Sequence, residues 1–272
     1  IAIYSMHTSL DNAFQGVNDM ICNQLQLTNK QILIPQKQTI KKLTTYVPVE
    51  EAEQLRTALF KAGAGNIGNY SDCSFNVEGT GTFNGNDHSN PTKGEKGQIH
   101  YEKETQISVT YAKHLESQIL KALFKTHSYE EVAYEITTLE NTNQHIGMGM
   151  IGDLSTAMDE ADFLNYVKVH MNTTHIRHSG FLNKKIQKVA VLGGSGSFAI
   201  DAAKRAGADA FITSDLKYHD FFTAENSILL VDIGHYESEQ FTKNILVAYL
   251  TKKITNFAVV LSKTITNTVK YF

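Results

Sequence analysis

The 272 residues predict an α/β chain whose core is a divided, mostly parallel sheet with helices, interrupted by an inserted ferredoxin-like (βαββαβ) domain. Three observations carry this expectation. Residues 143–272 alternate short apolar runs with helical periods. Residues 37–142 hold strand, helix, strand, strand, helix, strand in a self-contained order. The apolar runs of the core end in glycine-rich or polar turns bearing histidine and acid, where α/β sheets bind ligands. The expected pieces are 1–36 and 143–272 for the core and 37–142 for the insert.

Taken in order, Ile1-Ala2-Ile3-Tyr4 reads as the middle of a buried strand, implying a segment upstream. Ser5 to Asp11 follows as a loop, with Asp11 placed to cap a helix. Val17, Met20, Ile21 and Leu25 then keep helical spacing. In the insert, Thr39 to Val47 is a strand. Pro48 opens a helix with Ala52, Leu55, Leu59 and Ala62 on one face, stopped by Gly63. Asn66 to Phe83 is glycine-rich and extended, and Asn84 to Gly97 reads as a mobile polar loop. Thr105 to Ala112 forms the next strand, Leu115, Ile119, Ala122 and Leu123 mark a helix, and Glu131 to Leu139 closes the unit. The core resumes at Ile146 to Gly152, with a helix expected over Ser155 to His170 presenting Ala161, Leu164 and Val167. Strands at Lys188–Leu192, Ala210–Thr213 and Leu229–Ile233 alternate with helices at Ala199–Ala206 and from Glu237, the last carrying Phe241, Ile245 and Tyr249 on one face.

Composition excludes several classes. With 42% apolar and 19% charged residues the chain is an ordinary globular protein, and its net charge of −3 gives no basic surface for nucleic acid. Two cysteines without C-x-x-C spacing provide neither a disulfide framework nor a zinc knuckle, which fits a reducing cytoplasm. No apolar run approaches the roughly 18 residues of a membrane span.

Chemistry-bearing residues gather after the core strands: His7 and Asp11, Asp215, Lys217 and His219, then His235 and Glu239. His235 and Glu239, four residues apart, stack one turn above each other on a helix and can share an ion. The plainer alternative is a solvated helix start, where acids suit the dipole. Imidazole with carboxylate suits zinc, iron, manganese, cobalt or nickel. A carboxylate such as Glu239 can bridge two such ions, about 4 Å apart, which activate water for hydrolysis. A competing pattern is Gly194-x-Gly196-x-x-Ala199 after an apolar strand, with Asp215 near the place of a ribose-binding acid. It matches a dinucleotide fingerprint and predicts NAD binding through Gly194, Ser195, Gly196 and Asp215. The same turn equally reads as a pocket wall whose amides take a phosphate. His127-Ser128-Tyr129-Glu130-Glu131 reads as a solvated helix-to-strand turn.

Together, His7-Thr8-Ser9-Leu10-Asp11, the Gly193-Gly194-Ser195-Gly196 turn, Thr213-Ser214-Asp215-Leu216-Lys217-Tyr218-His219 and Gly234-His235-Tyr236-Glu237-Ser238-Glu239 resemble the NGG-interacting factor three family. Its bacterial members often carry the description GTP cyclohydrolase 1 type 2 homologue. The insert resembles the nitrogen-regulator or CutA-like domain of larger members. The resemblance implies a centre of two divalent metal ions and a hexameric ring. It makes Asp11, His235 and Glu239 metal ligands, with His7 lining the site. Ser195, Asp215, Lys217 and His219 stand beside it, and His7 or His219 would move a proton. A small-molecule substrate, a nucleotide among the candidates, is implied; a non-catalytic, metal-binding, ring-forming regulatory or chaperone-like protein is the rival. Two departures stand out. The adjacent His-His pair of the family does not occur in this sequence, and Ser128 stands where proline is usual.

Overall fold

A computed structural model describes residues 2–270. It divides into two compact units, residues 1–36 with 144–272, and residues 37–143. In chain order the elements are α1 (His7–Asp11), α2 (Val17–Gln24) and β1 (Thr28–Gln36). The second unit holds β2 (Ile40–Pro48), α3 (Ala52–Lys61), β3 (Phe75–Asn84), β4 (Ile99–Ala112), α4 (Glu116–Thr126) and β5 (Tyr134–Leu139). Then follow β6 (Asn143–Asp159), α5 (Glu160–His170), β7 (Arg177–His178), β8 (Lys185–Ser195), α6 (Ile200–Arg205), β9 (Ala210–Ser214), β10 (Leu229–Asp232), α7 (His235–Glu239) and α8 (Thr242–Lys253). Among the described residues no helix is long and apolar enough to cross a membrane.

The first unit is built on a six-stranded sheet in the order β1-β6-β8-β9-β10-β7. Its centre is parallel: β8 pairs with β9 and β9 with β10, in the register Val189 to Ala210 to Leu229. β6 on β8 and β7 on β10 are antiparallel, so the sheet is mixed rather than mostly parallel. The period-2 alternation of β8 buries both faces. Val189 and Val191 join Ile21, Phe163 and Val231 on one side, while Ala190 and Leu192 join Ala203, Phe211 and Leu230 on the other. Each buried Val, Leu, Ile or Phe among them contributes about 1.5–3 kcal/mol.

The second unit is an antiparallel sheet in the order β3-β4-β2-β5. Leu43, Val47, Ile107 and Val109 project to the helical side, where Leu55 and Leu59 of α3 and Ile119 and Leu123 of α4 complete the core. The other face of the sheet carries no helix.

Several sequence expectations fail for identifiable reasons. Ala2 to Tyr4 is not a strand; Ile3 and Tyr4 are exposed and no described strand pairs with them, while Ile1 lies outside the described residues. Asp11 ends a short helix instead of capping the start of one. β6 runs on through Ser155 to Asp159, so the following helix starts at Glu160 and turns Phe163, Leu164 and Val167 inward while Ala161 is exposed. The last helix is two, interrupted near Gln240, whose amide donates to Met171 O (2.7 Å); α8 buries no residue, and Tyr249 is exposed. The loop Asn84–Gly97 is tied down, with Gly97 N donating to Gly85 O (2.7 Å), Asn90 N to Glu130 (2.7 Å) and Thr92 Oγ1 to Ser128 O (2.9 Å). His127 is buried rather than solvated: it accepts Tyr129 N at Nδ1 (3.1 Å), so Nε2 carries the proton and donates to Tyr46 O (2.8 Å).

Candidate metal centre

The site grows from the carboxyl end of β10. Asp232 is buried there, and its carboxylate accepts Leu216 N (3.0 Å), Gly234 N (3.1 Å) and the Arg177 guanidinium. These bonds fix the exit of the strand. Gly234 then turns with φ +92°, a left-handed value that a side chain opposes, and releases the chain into α7 at His235. Ser238 on α7 accepts Gly194 N (2.9 Å) and donates to His235 O (2.8 Å), so the helix is tied to the glycine turn at the carboxyl end of β8. That turn is held twice more. Thr213 Oγ1 donates to Gly194 O (3.0 Å), and Asn18 accepts Gly193 N (3.0 Å) while donating to Asp11 O (2.9 Å), linking α1 to the same point.

At the centre His235 Nδ1 stands 2.6 Å from Asp215 Oδ2, which also accepts Ser195 Oγ (2.5 Å). His235 Nε2 faces Glu239 Oε1 at 3.6 Å, as the four-residue spacing predicts. Gly194 makes room for this pair: its φ is +71°, and a Cβ there would lie 2.8 Å from Glu239 Oε1 and 3.4 Å from the imidazole. α1 repeats the pattern, a five-residue helix with His7 first and Asp11 last.

The charges of these groups act on one another. Hydrogen bonding to Asp215 raises the His235 pKa above its ordinary value, against desolvation, with the charges of Glu239, Asp215 and Asp11 adding to the rise. Desolvation pushes Asp215 upward, but the bonds from His235 and Ser195 outweigh it and the carboxyl titrates below its usual range. Glu239 is raised by desolvation and by Asp11, against His235 and His7. Asp11 is likewise raised by desolvation, against His7 and His235. Acidic groups held partly out of water beside other acids favour a cation among them.

The other named residues are placed differently. His7 is exposed, 2.9 Å from Thr8 Oγ1, and reaches Asp11 and Glu239 through its charge. Lys217 and His219 are exposed; Lys217 N donates to Asp220 (2.7 Å) and the His219 ring packs near Tyr218 and Phe222. The dinucleotide reading loses its donors, because the Gly193 and Gly194 amides are taken by Asn18 and Ser238, and Asp215 by His235 and Ser195. Gly196 has φ −120° and abuts Thr213, so it serves close packing. Asn18, Thr213, Asp232 and Ser238 escaped sequence reasoning. Asn18, Thr213 and Asp232 are polar residues inside apolar-rich elements, and that conflict with burial is the signal that marks them; Ser238, in the polar α7, has no such signal. A cavity of about 630 Å³ opens over the site, lined by Asp215, His235, Glu239, Arg177 and Lys243 and by Thr264 and residues 266–269.

The donor types fit a divalent cation of the zinc, manganese or iron kind. His235 offers Nε2 while Asp215 holds Nδ1, the usual division in a metal-ligating imidazole. Among the described residues, however, no three His, Cys, Asp or Glu side chains form a set that could hold an ion. Asp11 acts on the pair through its charge.

The family model described as Duf34/NIF3 (NGG1p interacting factor 3) matches residues 1–268. The chain belongs to this family. A Bacillus subtilis (strain 168) protein named "GTP cyclohydrolase 1 type 2 homolog" is 39% identical to this NIF3-family chain over 261 residues, covering 94% of it and 68% of the relative. A relative of the same name from Halalkalibacterium halodurans is 38% identical over 86% of the chain and 64% of its own length. The chain thus spans about two thirds of the curated relatives it matches. The crystal structure of a Bacillus cereus protein related to NIF3 superposes with a TM-score of 0.85 at 37% identity, covering all of this chain and 74% of that one. Staphylococcus aureus protein SA1388 gives 0.72 at 26%, covering 98% and 72%.

Proposed function

We propose that this NIF3-family chain is a metal-dependent hydrolase of a nucleotide or related small molecule, with two divalent ions in its complete centre. The single observation that supports it most is the His235 imidazole, oriented by Asp215 at one nitrogen and facing the desolvated Glu239 at the other. An ion held there supplies Lewis-acid polarisation of a carbonyl or phosphoryl oxygen. The chain's own groups do the rest. Asp215 keeps the Nδ1 proton of His235 in place, and Ser195 steadies Asp215. Lys243 on the cavity wall offers a cation to an anionic group of the substrate, while Arg177 is held by Asp232. His7, coupled by charge to Asp11 and Glu239, is better placed than His219 to move a proton. The relatives' shared name supports a nucleotide substrate.

Within the same reading, residues 37–143 form a ferredoxin-like insert, supported by their element order and sheet order. The complete protein is a cytoplasmic homohexameric ring by family resemblance. The non-catalytic alternative is a metal-binding regulatory or chaperone-like ring.

The test is metal content by elemental analysis, together with hydrolysis of a nucleoside triphosphate panel in manganese or zinc, for this chain and Glu239→Ala. Bound metal with turnover, both reduced in the variant, is the expected result. Metal without turnover supports the regulatory reading, and no specific metal removes both.

A further inference from the structure

The helix-free face of the second unit's sheet carries a cavity of about 540 Å³ that the metal site does not use. Its floor is strand surface. Glu104 and Gln106 on β4 point to this face, opposite in parity to the core residues Ile107 and Val109; on β3, Gly79 lies across from Glu104, and Gly81 follows two residues on, across from Glu102. Neither glycine has a positive φ, so neither is required by the backbone. Glycine inside a strand weakens it and marks close approach by another group. A Cβ on Gly79 would meet nothing within 4 Å, and one on Gly81 would strike the Glu104 carboxylate. The two glycines therefore keep a strip clear beside an acid.

That acid is only 9% exposed. Its Oε1 accepts the Tyr129 hydroxyl (2.8 Å), and its Oε2 has no hydrogen-bond partner among the described residues. A buried carboxylate with one open oxygen calls for an N–H donor, best a charged one. Burial and Glu104 together push the Tyr129 phenol above its ordinary pKa, which keeps it a donor to that carboxylate. Phe83, Tyr129 and Tyr46 give the walls aromatic surface. Glu130 and Glu131 add acid to the lining, against Lys93, which is already paired with Glu50 and Glu102. The loop after β3 closes the cavity through the bonds Asn90 and Thr92 make to Glu130 and Ser128.

We propose that this cavity is a second ligand site, for a small organic cation with an aromatic or apolar body whose amidinium, guanidinium or ammonium group meets Glu104. The volume suits a ligand of that size. The site stands whether or not the metal centre is catalytic.

The experiment is saturation-transfer NMR titration of the full chain with benzamidine, and with benzamide and benzoate as neutral and anionic counterparts. Benzamidine binds, benzamide binds at least about tenfold more weakly, and benzoate does not bind. Glu104→Gln weakens benzamidine about tenfold, the difference between a charge-assisted and a neutral hydrogen bond. Gly79→Leu, which fills the cleared strip beside the acid, abolishes binding while the thermal melt stays within a few degrees of the parent. Absence of benzamidine binding, equal binding of benzoate, or binding unaltered in folded Gly79→Leu would each overturn the proposal.

Discussion

Asp215 Oδ2 lies 2.6 Å from His235 Nδ1, and this contact sets both the orientation and the charge of the imidazole. Asp215→Asn keeps the shape and removes the charge. The expected outcomes are a lower His235 pKa, followed by NMR of the ring protons, and zinc affinity reduced about 10- to 100-fold by calorimetry. An unchanged titration would show that the contact does not govern the ring.

The pH dependence of stability follows from the same groups. His235 has its pKa raised from 6.5, so its contribution is fully present below that value and is lost as pH rises through the folded value. Asp215 is lowered from 3.8; its contribution is present above 3.8 and lost as pH falls through the folded value. Glu239, raised from 4.5, opposes folding once ionised. Metal-free protein should therefore melt slightly lower at pH 8.5 than at pH 6, by roughly 1–3 °C because these side chains are half exposed. Zinc should reverse the trend, since ligation needs the neutral imidazole. Melts at both pH values, with zinc and with chelator, check the pair of slopes.

Glu239→Gln separates stability from binding. In chelator the variant should melt about 1–3 °C above the parent, having lost a desolvated acid beside Asp11, and it should bind zinc far more weakly. A variant that melts lower in chelator would mean that Glu239 holds the fold.

Asp232→Ala should cost about 3–5 kcal/mol in urea denaturation, because it orphans Leu216 N and Gly234 N and leaves Arg177 without its acid. A cost under about 1 kcal/mol would show that the turn after β10 holds itself.

Ser128→Pro should stabilise the second unit by about 0.5–1 kcal/mol. The Ser128 hydroxyl is buried without a partner, its amide donates no hydrogen bond among the described residues, and His127 before it already has φ −71° and ψ 137°. A lower melting temperature would mean that the Ser128 backbone cannot accept the ring.

The elements legible in the sequence are those in which one signal dominates. α2 and α3 show clean helical spacing, and β8, β9 and β10 are unbroken apolar runs bounded by turns. β1 carries no clean strand signal because Thr28–Gln36 is half polar and contains Pro35, and β7 has only two residues. β6 overran its expected end because Ser155 and Thr156 suit a helix cap as well as a strand. Of the site, the His235–Glu239 spacing could be read directly, since four residues on a helix fix a distance. The bonds from Asn18, Thr213 and Ser238 to the glycine turn could not, because each joins segments far apart in sequence.

Glu239 feels the charge of Asp11 across the site, yet the two acids are far apart in sequence, with all of residues 37–143 made between them. A nascent chain therefore exposes α1 long before α7 exists to meet it. In the proposed reading an ion enters only after β9 and β10 have joined β8 and α7 has reached α1, so loading follows closure of the sheet.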